Sequence, residues 1–357
     1  MKKLCALLVV CLCAATAMFA QNTNVALLTH NDEVKSFYGV SAFVSAMAEA
    51  DNGDYITLSS GRFTAPTITK AVTIRGAGMW NDDTDPLHII SQTIVDGHLI
   101  FDIPEEVTQA QSMEGVFFAE SVGFQTMLHN ASFIKCEFNK GWDGTTTSTF
   151  AKFKDVTFLN CVIRNNGGNY ISKGGDILFV NSYINNLNCN NDVTSTNIFN
   201  CFLYGNLSYL NNCMIYNSVL SSGMNLLSDV YLPGSATAYN CVAGYYSSST
   251  SSNSQSYFSI CHGSGNTVIS ATDGGIASIL NGDTDTYYDL TDEAAAKYLG
   301  TDGTQVGLYG GVNPFSAIPN YPRIKKFTVA SKPTADGKLD VDIEVSTVGT
   351  QETQNEN

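Results

Sequence analysis

Charge is scarce in this chain of 357 residues: Asp, Glu, Lys and Arg make up only 14%, against about a quarter in ordinary soluble domains. Basic residues are scarcer still, 18 Lys and Arg against 33 Asp and Glu, which leaves a formal charge of −15. That balance disfavours nucleic acid and anionic lipid as partners, because both would meet like charge. Long apolar runs are also missing. A bilayer-spanning helix needs about 20 apolar residues, and the run from Leu4 to Val10, continuing through Leu12, falls short. No two cysteines stand in C-x-x-C spacing, so a thiolate metal or redox centre of that type is not expected.

What is present begins with a leader. Met1-Lys2-Lys3, the short apolar run and the small residues Ala14 to Ala20 have the layout of a secretory signal peptide over residues 1–20. Cleavage after Ala20 would leave Gln21 first, with Ala15-Thr16-Ala17 as a second small-x-small site. Losing Lys2 and Lys3 moves the formal charge from −15 to −17. Cys5, Cys11 and Cys13 follow the bulky Leu4, Val10 and Leu12, which disfavours lipidation. Seven cysteines then remain, an odd number that argues against a complete disulfide framework and for buried packing.

One short pattern recurs through the middle of the chain: an aromatic or aliphatic residue, Asn, Cys or Ser, any residue, an aliphatic. It reads Phe158-Leu159-Asn160-Cys161-Val162-Ile163, Phe179-Val180-Asn181-Ser182-Tyr183-Ile184 and Ile198-Phe199-Asn200-Cys201-Phe202-Leu203. Ile215-Tyr216-Asn217-Ser218-Val219-Leu220 and Ala238-Tyr239-Asn240-Cys241-Val242-Ala243 follow, with a variant at Phe133-Ile134-Lys135-Cys136. The Cys/Ser position steps through 136, 161, 182, 201, 218 and 241, intervals of 25, 21, 19, 17 and 23 residues, or one solenoid coil each. Alternation within each copy turns Val156, Phe158, Cys161 and Ile163 inward. Asn before Cys/Ser suits a tight left-handed turn, and its amide is expected to bond to the Asn of the next coil. Cys and Ser, both small, are expected to stack inward. Cys213, in a second copy only five residues before Ser218, has no clear phase.

The ends supply the boundaries. Val40, Phe43, Val44, Met47 and Ala48 have the spacing of an amphipathic helix that closes at Asp51-Asn52-Gly53, a cap for the first coil. The strand-like Tyr55-Ile56-Thr57-Leu58, the turn Ser60-Gly61-Arg62-Phe63 and the run ending Gly76-Ala77-Gly78 resemble right-handed β-helix proteins of the pectate-lyase-like class. Gly300 to Gly311, Pro314-Phe315 and Pro319-Asn320-Tyr321-Pro322 are similar to the closing segment of uncharacterised secreted β-helix proteins of Bacteroidetes. The expected fold is therefore all-β: a right-handed parallel β-helix with an N-terminal capping helix and a short C-terminal strand segment. The expected division is a cap over residues 21–53, the β-helix over 54–311 and a C-terminal capping segment over 312–357.

The resemblance implies polysaccharide lyase or hydrolase chemistry, which in those proteins needs clustered carboxylates with a base, or paired Asp with His. Between Asn166 and Ser270 the only charges are Lys173, Asp176, Asp192 and Asp229, at different phases of the repeat, so no catalytic residue is assigned. Cys261-His262-Gly263 and Pro322-Arg323-Ile324-Lys325 match pectin-hydrolase segments without their carboxylate partners and are treated as chance. Asp283, Asp285 and Asp289 have a spacing that suits Ca²⁺, without an EF-hand glycine or closing Glu. Trp80, Asp82, Asp83, Asp85, Trp142, Tyr245 and Tyr246 are the candidates for a glycan-binding face, because rings and polar groups on a flat β-surface suit sugars. The default for the acidic loop is solvation, and for the rings packing between coils. The expectation is thus a noncatalytic secreted or surface β-helix that binds a glycan or another extracellular partner. The alternative is a lyase or hydrolase acting on an acidic polysaccharide.

Overall fold

The computed structural model describes residues 24–80, 92–142, 150–164, 169–205, 210, 212–221, 236–244, 263–269, 273–281, 288–319, 323–329, 337–338 and 341–346. Residues 1–20, where a leader is expected, lie outside them. Among the described residues the chain is a parallel β-solenoid of about seven turns with two short helices, the coil architecture that the repeat implied. Sheet A runs the length of the solenoid, from an antiparallel start to the strand Thr237–Tyr239. Sheet B, ten strands from Gly61–Thr64 to Thr267–Ile269, forms the second side. Sheet C is a third side of three strands, Thr67–Ile68, Leu99–Phe101 and Val122–Phe124, confined to the early coils. Beyond it, sheet A strands lengthen to Ala151–Leu159 and Asn169–Val180.

The turn between sheets A and B explains the Asn. Asn160, Asn181, Asn200, Asn217 and Asn240 have φ of 54°, 44°, 51°, 50° and 50°, the left-handed region that Asn enters most readily after Gly. Lys135 occupies the same place in the variant copy at φ 51°. One residue later, Cys136, Cys161, Ser182, Cys201, Ser218 and Cys241 form an inward file with no solvent exposure. The file is a hydrogen-bond ladder. Cys161 N donates to Ser182 Oγ at 3.0 Å, Ser182 N to Cys201 Sγ at 3.4 Å and Cys201 N to Ser218 Oγ at 3.1 Å. Each side chain also donates back along its own strand, Ser182 Oγ to Val180 O at 2.8 Å and Cys201 Sγ to Phe199 O at 3.2 Å. Cys213 is now phased: it opens the strand Cys213–Tyr216, pairs in register with Thr196 and is buried.

Phe133, Phe158 and Phe179 occupy one register position in successive coils, with ring centroids 5.1 and 4.9 Å apart. A solenoid repeats its rungs at about 4.8 Å, so identical rings stack without further adjustment.

Two expectations change, the face of the cap helix and the bonding of the corner Asn. The cap helix, Ala42–Glu49, buries Ala42, Phe43, Ala46 and Met47 but leaves Val40 and Val44 exposed, so its apolar face is rotated from the expected stripe. Ahead of it stands a hairpin, Val25–His30 and Glu33–Tyr38, whose two-residue turn Asn31-Asp32 has φ of 47° and 67°, as a type I′ turn requires. Among the described residues the last parallel strand is Thr267–Ile269. The segment 299–318 is a strap along the side of the solenoid. It travels against the coil order along the Asn corner: Thr301 N donates to Asn217 Oδ1 at 3.0 Å, and Asn181 Nδ2 donates to Leu308 O and Gly310 O, each at 2.7 Å. Ser316 N then donates to Asn160 Oδ1 at 2.6 Å, and Lys135 Nζ to Ile318 O at 2.5 Å. At Asn160, Asn181 and Asn217 the expected Asn-to-Asn bonding is thus replaced by bonding to the strap. Arg323–Val329 and Val341–Ser346 pair as an antiparallel hairpin.

Candidate binding face

The strap decides which outward side chains remain available. Glu137, Val162, Tyr183, Phe202, Val219 and Val242 form the outward file of sheet B by register. All are buried, and the five apolar ones form a second cluster with Ile276, Ile279, Leu290, Val306, Leu308 and Phe315 of the C-terminal segment. Tyr288 stacks on Phe202 at 4.4 Å and on Tyr183 at 4.8 Å. Glu137 is held in this covered layer: Arg164 Nε donates to its Oε1 at 2.6 Å, and Trp80 Nε1 donates to its Oε2. Neither carboxylate oxygen is idle, and burial without those partners would be costly.

Sheet A presents two outward files. Nearest the Asn corner stand Thr57, Arg75, Glu114, Ile134, Leu159, Val180, Phe199, Tyr216 and Tyr239, one per coil. Beside them run Tyr55, Thr73, Ser112, Ser132, Thr157, Leu178, Asn197, Met214 and Thr237. From Ser132 and Ile134 onward neither file carries a charge. The residues are half-buried, and Met214 is 39% exposed. Phe199 and Tyr216 stack at 4.9 Å with 3° between their planes, and Tyr216 and Tyr239 at 5.1 Å and 16°. Rings stacked along the axis turn their faces to one another, so they offer edges and phenol groups outward.

Charge returns on both flanks. At a bend in the long strands Asn130, Asp155 and Asp176 have φ of 47°, 56° and 55°. There Lys154 bonds Asp176 and lies 3.9 Å from Asp155, while Ser195 Oγ donates to Asp176 at 3.0 Å. Lys154 first, and then Ser195, hold the Asp176 carboxyl below its usual range. On the other flank lies the strap, where Val312 is 91% exposed. Burial lowers the Lys135 ammonium, and raises Tyr309 to about 12 with help from Asp289.

The residues singled out from sequence are not brought together. Trp142 is only 1% exposed, packed edge-on against Phe153 at 5.2 Å and bridging to Val122 in the third side, so it offers no ring to a ligand. The reason is register: it continues sheet C inward after Gly141. Trp80 is half-buried, bonded to Glu137 and 5.7 Å from Phe315, which makes it part of the covered layer. Asp289 accepts from Gln305 Nε2 at 3.1 Å and from Leu290 N at 2.8 Å. Asp82, Asp83, Asp85, Tyr245, Tyr246, Asp283 and Asp285 lie outside the described residues. Among the described residues no three His, Cys, Asp or Glu side chains converge as metal ligands. An interior void of about 10 Å³ between Ile74, Gln111 and Phe133 has room for about one water. The residues sequence reasoning missed are Phe199, Tyr216 and Tyr239. Their signal was present: each stands immediately before the turn Asn and out of phase with the inward residues.

Fold and face together define a parallel β-solenoid in which, among the described residues, one apolar side is covered and the other half-buried. No protein-family model, curated protein or solved structure matches the chain.

Proposed function

We propose that this protein is a secreted, noncatalytic binding module that holds a neutral glycan across the outer face of sheet A. The observation that carries the reading is the uncharged double file from Ser132 and Ile134 to Thr237 and Tyr239 on a chain whose formal charge is −15. Sugars present apolar C–H faces and hydroxyl rims. Leu178, Val180 and Met214 supply apolar contact, while Thr157, Asn197, Thr237 and the Tyr216 and Tyr239 phenols supply hydrogen-bonding groups. An acidic polymer would meet no compensating cation in these files. The leader over residues 1–20 supports export.

The test is retention on a panel of neutral and acidic polysaccharides, with and without Ca²⁺, while reducing ends and unsaturated products are followed. Retention on a neutral member that EDTA leaves unchanged, and that Tyr216→Ala with Tyr239→Ala weakens at least fivefold, is expected. Cleavage of any member sinks the noncatalytic reading. Retention that requires Ca²⁺ moves attention to Asp283, Asp285 and Asp289, and no retention on any member overturns glycan binding. Amino-terminal sequencing of exported protein checks the leader, with Gln21 expected first.

A further inference from the structure

The first strand of sheet A, Glu33–Tyr38, is an edge: it pairs with Val25–His30 on one side and, among the described residues, with nothing on the other. Proteins normally blunt such edges with proline, bulges or charged side chains, lysine above all, because an open row of backbone N–H and C=O groups recruits another strand. This one has six residues without proline, glycine or a register shift. Its one lysine is engaged elsewhere, because Lys35 bonds Glu49 of the cap helix and sits 5.2 Å from the Phe37 ring centroid. Val34 and Tyr38 are 62% and 73% exposed. Glu33, Lys35 and Phe37 pair with His30, Leu28 and Ala26, and Leu28 and Ala26 are core residues; Val34, Ser36 and Tyr38 therefore face outward with the rest of the outer surface.

We infer that this edge joins a second copy of the chain, strand Glu33–Tyr38 running antiparallel to its counterpart about a twofold axis through Ser36. Self-complementarity selects the partner and the register. A twofold axis perpendicular to the sheet keeps outward residues opposite outward residues, so only registers that pair positions of the same parity are compatible. Centring on Lys35 sets two ammonium groups against each other, which is unfavourable. Centring on Val34 shortens the overlap and runs into the Asn31-Asp32 turn. Centring on Ser36 places the small hydroxyl side chains at the axis, Val34 opposite the partner's Tyr38, and Lys35 opposite the partner's Phe37. That last pair extends the cation–ring contact Lys35 already makes. The two outer faces of sheet A would then lie on one side of a continuous sheet, presenting two copies of the neutral face to one polymer. This inference does not depend on glycan binding.

Single cysteines at positions 34, 35 and 36, introduced into the full chain, read the register. Under mild oxidation Ser36→Cys should cross-link to a covalent dimer at least tenfold faster than Val34→Cys or Lys35→Cys, with the parent chain remaining monomeric on a denaturing gel. Sedimentation of the parent chain at rising concentration should show a dimer that Ser36→Pro abolishes, while Ser36→Asp, which leaves the fold's hydrogen bonds in place, shifts its midpoint at least tenfold upward. Faster cross-linking at position 34 or 35 overturns the register. A parent chain that is monomeric at all concentrations, or a dimer indifferent to both Ser36 variants, overturns the inference.

Discussion

Sheets A and B wind around one interior and both carry apolar outward residues over the same coils, yet among the described residues only sheet B is covered. Val162, Tyr183, Phe202 and Val219 on sheet B are at most 3% exposed, whereas Leu159, Val180, Phe199 and Tyr216 on sheet A, from the same coils, are half-buried. The difference comes from residues 276–315, in which the strap and the segment before it lie over sheet B. An apolar outward residue in a solenoid therefore has two meanings. Under a strap it is core, and on an open face it is surface kept apolar despite contact with water.

The sharpest way to break this comparison is to truncate one ring on each side. Phe202→Ala removes a ring that is 1% exposed and held 4.4 Å from Tyr288; chemical unfolding should show a loss of about 3–5 kcal/mol. Phe199→Ala, half-buried and stacked only on Tyr216 in the outer file, should cost about 1 kcal/mol on the area it buries. Equal losses would mean that sheet A is covered as sheet B is. Next in size is the strap's anchor. Asn181→Ala loses two bonds to strap carbonyls, about 1–3 kcal/mol, and puts a Cβ residue without Asn's local bonding at φ 44°, a further ~1 kcal/mol. Asn181→Gly should restore the second part only. In both variants amide exchange should rise across residues 299–318 while the coil amides keep their protection.

Smaller effects test the interior that the two sheets share. Ser182→Ala removes both the acceptor for Cys161 N and the donor to Val180 O, and should cost about 1–2 kcal/mol in denaturant unfolding. Ser182→Cys, the residue neighbouring coils already use, should stay closer to the parent. The smallest signal at neutral pH comes from the thiols. Burial, ahead of all other causes, raises Cys161, Cys189 and Cys201 from an ordinary 9.0 to about 12. The folded chain then keeps protons that the unfolded chain releases, so their stabilising share is full below pH 9 and declines as pH rises from 9 towards 12. Urea midpoints should be level from pH 7 to 8.5 and fall by pH 10.5. Labelling of these thiols in the native state at pH 8 would show that the interior is open.

Much of this was legible in the residues. The Asn–Cys/Ser repeat located the coils, their inward file and the left-handed corner, because each feature follows from local backbone geometry and period-2 alternation. The hairpin before the cap helix is legible too, because Asn31-Asp32 between alternating residues is a type I′ turn signal. The site was read less well. Trp80 and Trp142 read in sequence as rings for a sugar face, and both are packed, one against Phe315 of the strap and one inside. Phe199, Tyr216 and Tyr239 sat within the repeat and were counted as architecture, although their parity opposes that of the inward file.

By itself the sequence determined the solenoid, its coil lengths, its inward Cys/Ser ladder and its Asn corner, since each depends on residues a few positions apart or one coil apart. Tertiary structure decided which side of that solenoid is surface. The contact between residue 181 and residues 308 and 310 joins segments about 130 positions apart, and no local pattern says on which face a strap will lie. That placement is set by burial of Phe315, Leu308 and Val306 against the outward file of sheet B, a match of two surfaces that exist only after the coils have formed.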